Sequence, residues 1–261
     1  MPTAAPSISG LRGEQVVSPT PEEASRRLAQ ELVQHLKQRF TSVPHVHLAL
    51  SGGSSAKLLC AEFAGGAELS RADWVRIHIW MVDERCVGAD DPRLNFTLLR
   101  EALIEKVPLP ATNVHPMPVL QADGAARYER ELREAFAART HAKDRRLDAV
   151  VLGMGPDGHT ASLFPATPAL DERERLIVLN DGERVIEPRP RMTMTYPLLT
   201  HAYFIALLVT GESKQEALRA VAANPDDFHS RPVAGVIPAA DARMIWYLDQ
   251  AAAYPRSGNN S

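Results

Sequence analysis

Apolar and polar positions along the chain follow two spacings, one typical of helices and one typical of buried strands. A helix is predicted from Pro21, because Thr20 can cap it and apolar residues recur at helical spacing from Ala24 to Phe40. Short, continuous apolar runs predict strands that are buried on both faces. Because helical segments separate them, the pattern predicts an α/β fold: a Rossmann-like, open, mainly parallel sheet with helices on both faces. The runs occupy residues 46–50, 75–82, 149–152, 176–180 and 203–209.

The chain contains no internal repeat and no linker long enough to divide it, so a single domain is predicted over residues 20–250. Residues 1–19 are predicted to form a flexible N-terminal arm, since they lack the basic start and apolar centre of a secretory signal. Residues 251–261 are predicted to form a C-terminal tail. Further helices are predicted at 56–63, 94–107 and 123–139.

The stretch 148–165 joins a predicted strand to the most distinctive turn of the sequence. Three glycines permit a tight bend after the apolar run, and this bend carries Asp157 and His159. The glycines also match the spacing of a dinucleotide-binding loop, but Pro165 and Pro168 leave too little room for the helix that such a loop requires. For His159 alone, a structural hydrogen bond to the backbone is an alternative to catalysis.

Two loops are suited to an anion such as phosphate. The loop Ser51-Gly52-Gly53-Ser54-Ser55 joins a predicted strand to a predicted helix, so free backbone N–H groups and the helix dipole point to one place. The other loop ends at Lys214, in the predicted first turn of a helix capped by Ser213 and Glu216. A lysine there opposes the helix dipole unless an anion binds between them. A plain turn and a solvent-exposed lysine are the alternatives.

Charged residues lie at two further places where a strand ends or a loop turns. Asp83, Glu84 and Arg85 follow the third apolar run, where a solvated loop is the simpler interpretation. The segment from Pro188 to Arg191 contains two prolines, so it is predicted to be a loop or an edge that delivers Arg191. Together with the central turn and the two anion loops, these residues indicate acid/base chemistry on a small phosphorylated molecule, without a cofactor.

Composition and charge disfavour several classes of protein. The formal net charge is −3 with acidic and basic residues interspersed, which gives no electrostatic case for binding nucleic acid or a membrane surface. Cys60 and Cys86 are far apart, so a reducing, cytoplasmic location is predicted. His45 and His47 alternate onto one face of a strand, but no further ligand has matching spacing, so no metal is expected.

An ordered series of motifs resembles the 6-phosphogluconolactonases and, more widely, the superfamily that they share with glucosamine-6-phosphate deaminases. The resemblance runs from about Pro21 to Leu248, and the central signature GMGPDGHTASLFP at 153–165 carries most of it. Leu94 stands where serine is usual in one of the shorter motifs. Those motifs are LALSGGSS at 48–55, WMVDERCV at 80–87, Leu94-Asn95-Phe96, Arg191-Met192-Thr193 and Gly211-Glu212-Ser213-Lys214.

This resemblance implies hydrolysis of 6-phospho-D-glucono-1,5-lactone to 6-phosphogluconate, in the oxidative branch of the pentose phosphate pathway. It implies that His159 activates water as a general base, that Asp157 orients the ring or contacts the sugar, and that Asp83 is structural or catalytic. No cofactor is implied, and a monomer or weak homo-oligomer is expected whose partner is the phosphorylated sugar lactone. The implied substrate- and phosphate-binding residues are Gly52, Gly53, Ser54, Ser55, Arg85, Asn95, Arg191, Thr193 and Lys214.

Two other functions stay open. A glucosamine-6-phosphate deaminase/isomerase would resemble D-E-Y where this chain has D-E-R at 83–85, and would carry a glutamate in place of Phe164. A non-catalytic sugar-phosphate-binding domain is the other alternative. Such sensors usually carry a DNA-binding segment, and residues 1–20 are too few for a helix-turn-helix.

Overall fold

The computed structural model describes residues 7–66, 68–139, 141 and 144–254, which contain ten strands and eight α-helices. The strands are β1 (Glu14–Ser18), β2 (Val46–Leu50), β3 (Ile77–Met81), β4 (Asp83–Arg85), β5 (Val114–His115), β6 (Ala149–Leu152), β7 (Ile177–Asn180), β8 (Arg191–Met194), β9 (Phe204–Val209) and β10 (Arg243–Asp249). The helices are α1 (Pro21–Phe40), α2 (Ser54–Gly66), α3 (Arg71–Trp74), α4 (Asn95–Ala102), α5 (Gly124–Ala137), α6 (Tyr196–Leu199), α7 (Gln215–Ala223) and α8 (Gln250–Ala253).

Seven strands form one parallel sheet in the order β1-β10-β9-β6-β2-β3-β5. Every residue of β2, β6 and β9 is buried, and alternate residues of a strand face opposite sides, so both faces of the sheet are covered. The predicted fold class is therefore confirmed. β2 and β6 coincide with the apolar runs that predicted them. Helix α1 also begins as predicted, since the Thr20 hydroxyl accepts a hydrogen bond from the Glu23 N–H at 3.2 Å.

Three short strands form a second, antiparallel sheet in the order β4-β8-β7. Asp83 pairs with Thr193 and Arg85 with Arg191, so the interpretation of 83–85 as a solvated loop was wrong. Arg191 is the first residue of β8, and the two prolines before it lie outside the strand, as their missing N–H groups require. The small sheet thus places Asp83, Arg85 and Arg191 next to one another.

The prediction of an N-terminal arm over residues 1–19 was wrong for its second half. Glu14–Ser18 is the edge strand β1, paired in parallel with β10, and the Glu14 carboxylate accepts a hydrogen bond from Arg243 Nε at 2.7 Å. Residues 1–6 lie outside the described residues. The predicted tail begins inside α8, whose N-cap Asp249 accepts a hydrogen bond from the Ala252 N–H at 2.8 Å, and its residues 255–261 lie outside the described residues.

Two predicted boundaries were also wrong. The helix predicted over 94–107 ends at Ala102, because Leu103 leaves the helical conformation with φ −132° and ψ −62° before a 3₁₀ turn. The strand predicted from Val75 starts two residues later, since Val75 ends the short helix α3. Within the described residues, no helix has both the length and the apolar character needed to cross a membrane.

A histidine cluster lies across β2, β3 and β5. His47 Nδ1 accepts a hydrogen bond from Trp80 Nε1 at 3.0 Å, His78 Nδ1 lies 2.9 Å from His115 Nε2, and His115 Nδ1 lies 2.6 Å from Glu131 Oε1. The hydrogen bond from Trp80 gives His47 a structural role. The spacing of His45 and His47 therefore does not need a metal ion to explain it. Burial, followed by the charges of neighbouring histidines, lowers the pKa of His78 from 6.5 to about 4.

We expect this cluster to make the folded state sensitive to acid. A histidine in the unfolded chain titrates near its ordinary pKa, so between about pH 6.5 and pH 4 the unfolded state binds a proton that folded His78 refuses. The stability that neutral His78 contributes is complete above about pH 6.5 and is lost as the pH falls towards about 4. Allowing for partial exposure, the loss is roughly 2 kcal/mol for this residue.

The free energy of unfolding, measured by denaturant titration at pH 7 and pH 4.5, tests this expectation. His78→Gln is expected to lose less stability than the wild type over that interval, and the matching substitution at the exposed His141 is the control. Equal pH dependence in the wild type and His78→Gln would contradict the assignment.

Candidate active site

A cavity of about 260 Å³ lies where the carboxyl ends of β2, β6 and β9 meet the small sheet. These three strands are neighbours in the large sheet, and the carboxyl edge of such a sheet is the usual place for a ligand. All but two of the residues predicted for the site line this cavity; the exceptions are Asp157 and Thr193. The predicted residues that line it are Gly52, Gly53, Ser54, Ser55, Asp83, Arg85, Asn95, His159, Arg191 and Lys214.

His159 and Asp157 form a hydrogen-bonded pair in the turn after β6. His159 Nδ1 lies 2.5 Å from Asp157 Oδ1, and the same oxygen accepts a hydrogen bond from the His159 backbone N–H at 3.2 Å. Burial would raise the pKa of Asp157, but the hydrogen bonds and charge of His159 outweigh burial and hold that pKa below its ordinary value. In the neutral imidazole, an ionised Asp157 favours the tautomer with the ring proton on Nδ1, in which Nε2 is the proton acceptor.

Gly155 permits the pair to form. Its N–H donates to the His159 carbonyl at 2.8 Å, and a Cβ at this position would overlap His159 Nδ1 and Asp157 Oδ1. Gly158 has a further constraint, since its φ is +82° and a side chain there would meet Arg231. Gly155 therefore serves the geometry of the histidine, and Gly158 serves the fold of the turn.

Replacing Gly155 by alanine is expected to lower kcat about 100-fold, because a displacement of about 1 Å at the reacting groups costs roughly that factor. Steady-state kinetics of the Gly155→Ala variant, with circular dichroism to confirm folding, measure the effect. Gly88→Ala is the matched control, since no atom lies within 4 Å of an added Cβ there. Wild-type kcat in Gly155→Ala would show that the pair tolerates displacement.

The glycine-serine loop after β2 leads directly into α2, as predicted. Gly53 has a φ of +99°, which favours glycine, and α2 begins at Ser54. Ser55 Oγ lies 2.9 Å from Thr210 Oγ1, so the loop is tied to the end of β9. Sequence reasoning missed Thr210, although its position directly after a buried strand was a usable signal.

Lys214 reaches the same cavity from the loop after β9. The predicted capping box of Ser213 and Glu216 was wrong: Glu212–Lys214 is a 3₁₀ turn and Lys214 itself is the N-cap of α7, with no side-chain cap hydrogen bond. Burial lowers the pKa of Lys214, and the charge of Asp157 opposes this. The lysine charge is thus partly desolvated at the start of a helix, a position that an anion would stabilise.

Asp83 and Arg85 line the cavity from β4, and Asn95 lies beside them. Asp83 Oδ2 accepts a hydrogen bond from the Ser162 hydroxyl at 2.5 Å, and the Asp83 carbonyl accepts one from Asn95 Nδ2 at 2.9 Å. Arg85 Nη1 donates to Asn95 Oδ1 and, at 2.9 Å, to the Arg93 carbonyl. Arg85 Nε is buried with no hydrogen-bond partner among the described residues, while the side chain as a whole lines the cavity.

Arg191 is held by the loop that precedes β8. Its Nε donates to the Pro188 carbonyl at 2.6 Å and its Nη2 to the Ile186 carbonyl at 3.0 Å. Burial and then the charge of Arg85 lower the pKa of Arg191, as expected where two guanidinium groups share a cavity. Ile186 also lines this cavity and has no motif that could have predicted it.

Thr193 does not reach the cavity, so its prediction as a substrate-binding residue is corrected here. Its side chain is fully buried, and Thr193 Oγ1 accepts a hydrogen bond from the Ser162 N–H at 3.1 Å and donates to the Met194 carbonyl at 3.0 Å. The residue joins β8 to the central signature. In the part of the chain that the structure describes, no cluster of three or more His, Cys, Asp or Glu side chains has the arrangement of a metal site.

Comparison with known proteins places this chain in a family. A model of the family described as glucosamine-6-phosphate isomerases/6-phosphogluconolactonase matches residues 19–246. The chain belongs to this family. The 6-phosphogluconolactonase of Synechocystis sp. is 39% identical over 208 residues, which cover 78% of this chain and 82% of that protein.

One further relative and one solved structure extend the comparison. The GDH/6PGL endoplasmic bifunctional protein of Oryctolagus cuniculus is 36% identical over 240 residues, covering 91% of this chain, while this chain spans 30% of that protein's length. The structure of 6-phosphogluconolactonase from Trypanosoma cruzi superposes with a TM-score of 0.78 at 24% identity, covering 97% of this chain and 100% of that chain, and it shares the fold.

Within this family site, Phe164 forms an apolar wall behind the histidine. It is 1% exposed, and its ring centroid lies 4.6 Å from that of His159. The guanidinium carbon of Arg191 lies 5.9 Å from the same ring. The carboxylate of Asp157 at Nδ1 and the aromatic face of Phe164 therefore restrict the orientation of the imidazole. Phe164 adds no second carboxylic acid beside the ring.

Proposed function

We propose that this protein hydrolyses 6-phospho-D-glucono-1,5-lactone to 6-phosphogluconate, in the oxidative branch of the pentose phosphate pathway. The observation that carries the proposal is the His159–Asp157 pair at the edge of a cavity with two anion-binding loops and two arginines. Relatives such as the Synechocystis protein, which match most of this chain and most of their own length, bear the lactonase name.

His159 acts as the general base. Its Nε2 takes a proton from a water molecule as the water oxygen attacks the lactone carbonyl carbon, because Nδ1 is engaged by Asp157. The bond from that carbon to the ring oxygen then breaks, and the proton held on Nε2 passes to the ring oxygen, which becomes a hydroxyl group. Asp157 stabilises the imidazolium formed between these steps. Because Asp157 does not line the cavity, we assign it orientation of the ring rather than contact with the sugar.

The negative charge that develops on the carbonyl oxygen requires hydrogen-bond donors. The Arg85 guanidinium and the backbone N–H groups at Gly52 and Gly53 are the candidates for this role, because these residues line the cavity. Asn95 holds Arg85 through its side-chain oxygen and lies against Gly52, where an added Cβ would overlap it. These groups are fixed before substrate binds, which is the condition for efficient stabilisation of a transition state.

The phosphate group of the substrate binds to cations and hydroxyl groups of the same cavity. Lys214, Arg191, Ser54 and Ser55 supply two cations and two hydroxyl groups, and Thr210 extends this set through its contact with Ser55. The substrate anion also relieves the unfavourable position of Lys214 at the start of α7.

We assign Asp83 a structural role. Its carboxylate is bound by the Ser162 hydroxyl at 2.5 Å, and the Asn95 amide approaches the other oxygen at 3.4 Å. These contacts link β4 to the central signature and to α4. A carboxylate committed to such contacts is poorly placed to move protons.

Phe164 favours the lactonase over the deaminase/isomerase of the same family. In the deaminases a glutamate is expected at this place, and a carboxylate there would pair with the histidine. The phenyl ring at 4.6 Å from His159 offers no proton acceptor. Arg85 stands where a tyrosine is expected in the deaminases, and this difference also favours the lactonase.

Parallel assays with two phosphorylated substrates separate these functions. We expect release of 6-phosphogluconate from the lactone and no release of ammonia from glucosamine 6-phosphate. Ammonia release above the rate of the uncatalysed reaction would support the deaminase, and binding of both sugars without turnover would support the non-catalytic domain. Unphosphorylated glucono-1,5-lactone serves as the control for the phosphate-binding residues.

We also infer a cytoplasmic location and a single-chain site. Cys60 and Cys86 are free thiols, and burial raises the pKa of Cys60 to about 12, so neither is prepared for disulfide exchange. We expect a monomer or a weak homo-oligomer in which each chain carries its own site. The proposed partner is the phosphorylated sugar lactone, and no nucleic acid or membrane is required.

A further inference from the structure

Glu84 is a buried carboxylate between two residues of the cavity wall. It is the central residue of β4, so its side chain faces away from the side on which Asp83 and Arg85 line the cavity. It is 2% exposed, which is unusual for a glutamate that is not paired with a cation. Its hydrogen bonds explain why it is tolerated.

The Glu84 carboxylate binds three backbone N–H groups. Oε1 accepts from Arg85 at 2.8 Å and from Asn95 at 2.8 Å, and Oε2 accepts from Phe96 at 2.7 Å. Burial raises the pKa of Glu84, and these three hydrogen bonds oppose that increase. The carboxylate therefore holds β4 and the first turn of α4 in one fixed relation.

Helix α4 depends on this carboxylate because its own N-cap cannot serve. Leu94 occupies the N-cap position and makes no side-chain hydrogen bond, so the N–H groups of Asn95 and Phe96 have no local acceptor. A capping carboxylate from a neighbouring strand satisfies both and complements the helix dipole. The position of Asn95 is consequently set by Glu84.

The two residues that Glu84 holds through their backbones also bind each other through their side chains. Arg85 Nη1 donates to Asn95 Oδ1, while Asn95 Nδ2 donates to the Asp83 carbonyl at 2.9 Å. We propose that Glu84 is a positioning residue for the lactonase reaction, which sets Arg85 and Asn95 in the cavity without touching substrate. This inference rests on the proposed function, in which Arg85 faces the developing oxyanion.

Glu84→Gln is the sharpest test, because it preserves shape and replaces one acceptor oxygen by an NH₂ group that faces a backbone N–H. We expect kcat to fall roughly 10-fold with KM nearly unchanged, since Arg191 and Lys214 keep their places. Glu84→Asp, which retains the charge but shortens the reach, is expected to be intermediate. Asp73→Asn is the control: Asp73 Oδ2 caps α3 by accepting from the Ser70 N–H at 2.8 Å, and it does not line the cavity.

A double-mutant cycle separates positioning from general destabilisation. In the Arg85→Ala background, Glu84→Gln is expected to cause little further loss of kcat, because the guanidinium through which it acts is gone. Wild-type kcat in Glu84→Gln, or an equal loss in both backgrounds, would overturn the proposal. If the wild type itself hydrolyses no lactone, the proposed function fails, and a crystal structure of Glu84→Gln then decides the positioning role: a broken Arg85–Asn95 hydrogen bond supports it and an unchanged one overturns it.

Discussion

Replacing His159 by asparagine is expected to lower kcat by about 10² to 10⁴ while KM changes little. Asparagine is chosen because its Nδ2 can take the place of His159 Nδ1 and donate to Asp157 Oδ1, which preserves the turn. The variant then keeps the contact to Asp157 but has no atom in the place of Nε2. Initial rates of lactone disappearance, corrected for spontaneous hydrolysis, measure the effect.

Two comparisons make this prediction specific. Asp157→Asn keeps the size of the side chain, but its amide group can donate a hydrogen bond to His159 Nδ1. It is therefore expected to favour the tautomer with the ring proton on Nε2 and to lower kcat as well. The unfolding temperatures of both variants should stay close to that of the wild type, since both positions are only partly buried. A His159→Asn variant that retains kcat within a factor of three would show that another group activates water.

Replacing Lys214 by methionine is expected to raise KM for the phosphorylated lactone roughly 10- to 100-fold with a smaller effect on kcat. Methionine keeps the length of the apolar stem and removes the charge, so packing in the half-buried site is preserved. The physical reason is that a charge-assisted contact to phosphate is strong when both groups leave water.

The substrate itself provides the internal control for Lys214. For unphosphorylated glucono-1,5-lactone, the wild type and Lys214→Met are expected to share the same KM. Lys57→Met is the matched variant, because Lys57 lies on α2 close to the glycine-serine loop but is exposed and outside the cavity. An equal rise in KM for both lactones would assign Lys214 a structural role instead.

The parts of the fold that sequence predicted well are those with a strong local signal. β2 and β6 are continuous apolar runs between polar turns, and α1 has both a capping threonine and a proline in its first turn. The second sheet escaped prediction for the opposite reason. β4 is three residues long and charged, and it forms by pairing with β8, more than a hundred residues away in the chain.

The sequence predicted which residues form the site better than it predicted the contacts among them. The order of the motifs indicated His159, Arg191 and Lys214, and the cavity contains all three. Thr193 belongs to a matching motif and lies on the same face of β8 as Arg191, but its hydroxyl group is fully buried in hydrogen bonds to Ser162 and Met194. The dependence of Asn95 on Glu84 could not be predicted, since it requires knowing that β4 runs beside the start of α4.

The central claim is that this protein accelerates the opening of a phosphorylated sugar lactone. The most direct test generates 6-phosphogluconolactone in situ at neutral pH and follows its disappearance with and without the purified wild-type protein. We predict a rate that rises in proportion to protein concentration, stays well above the spontaneous reaction and saturates with substrate. A rate indistinguishable from the spontaneous reaction at all protein concentrations would contradict it.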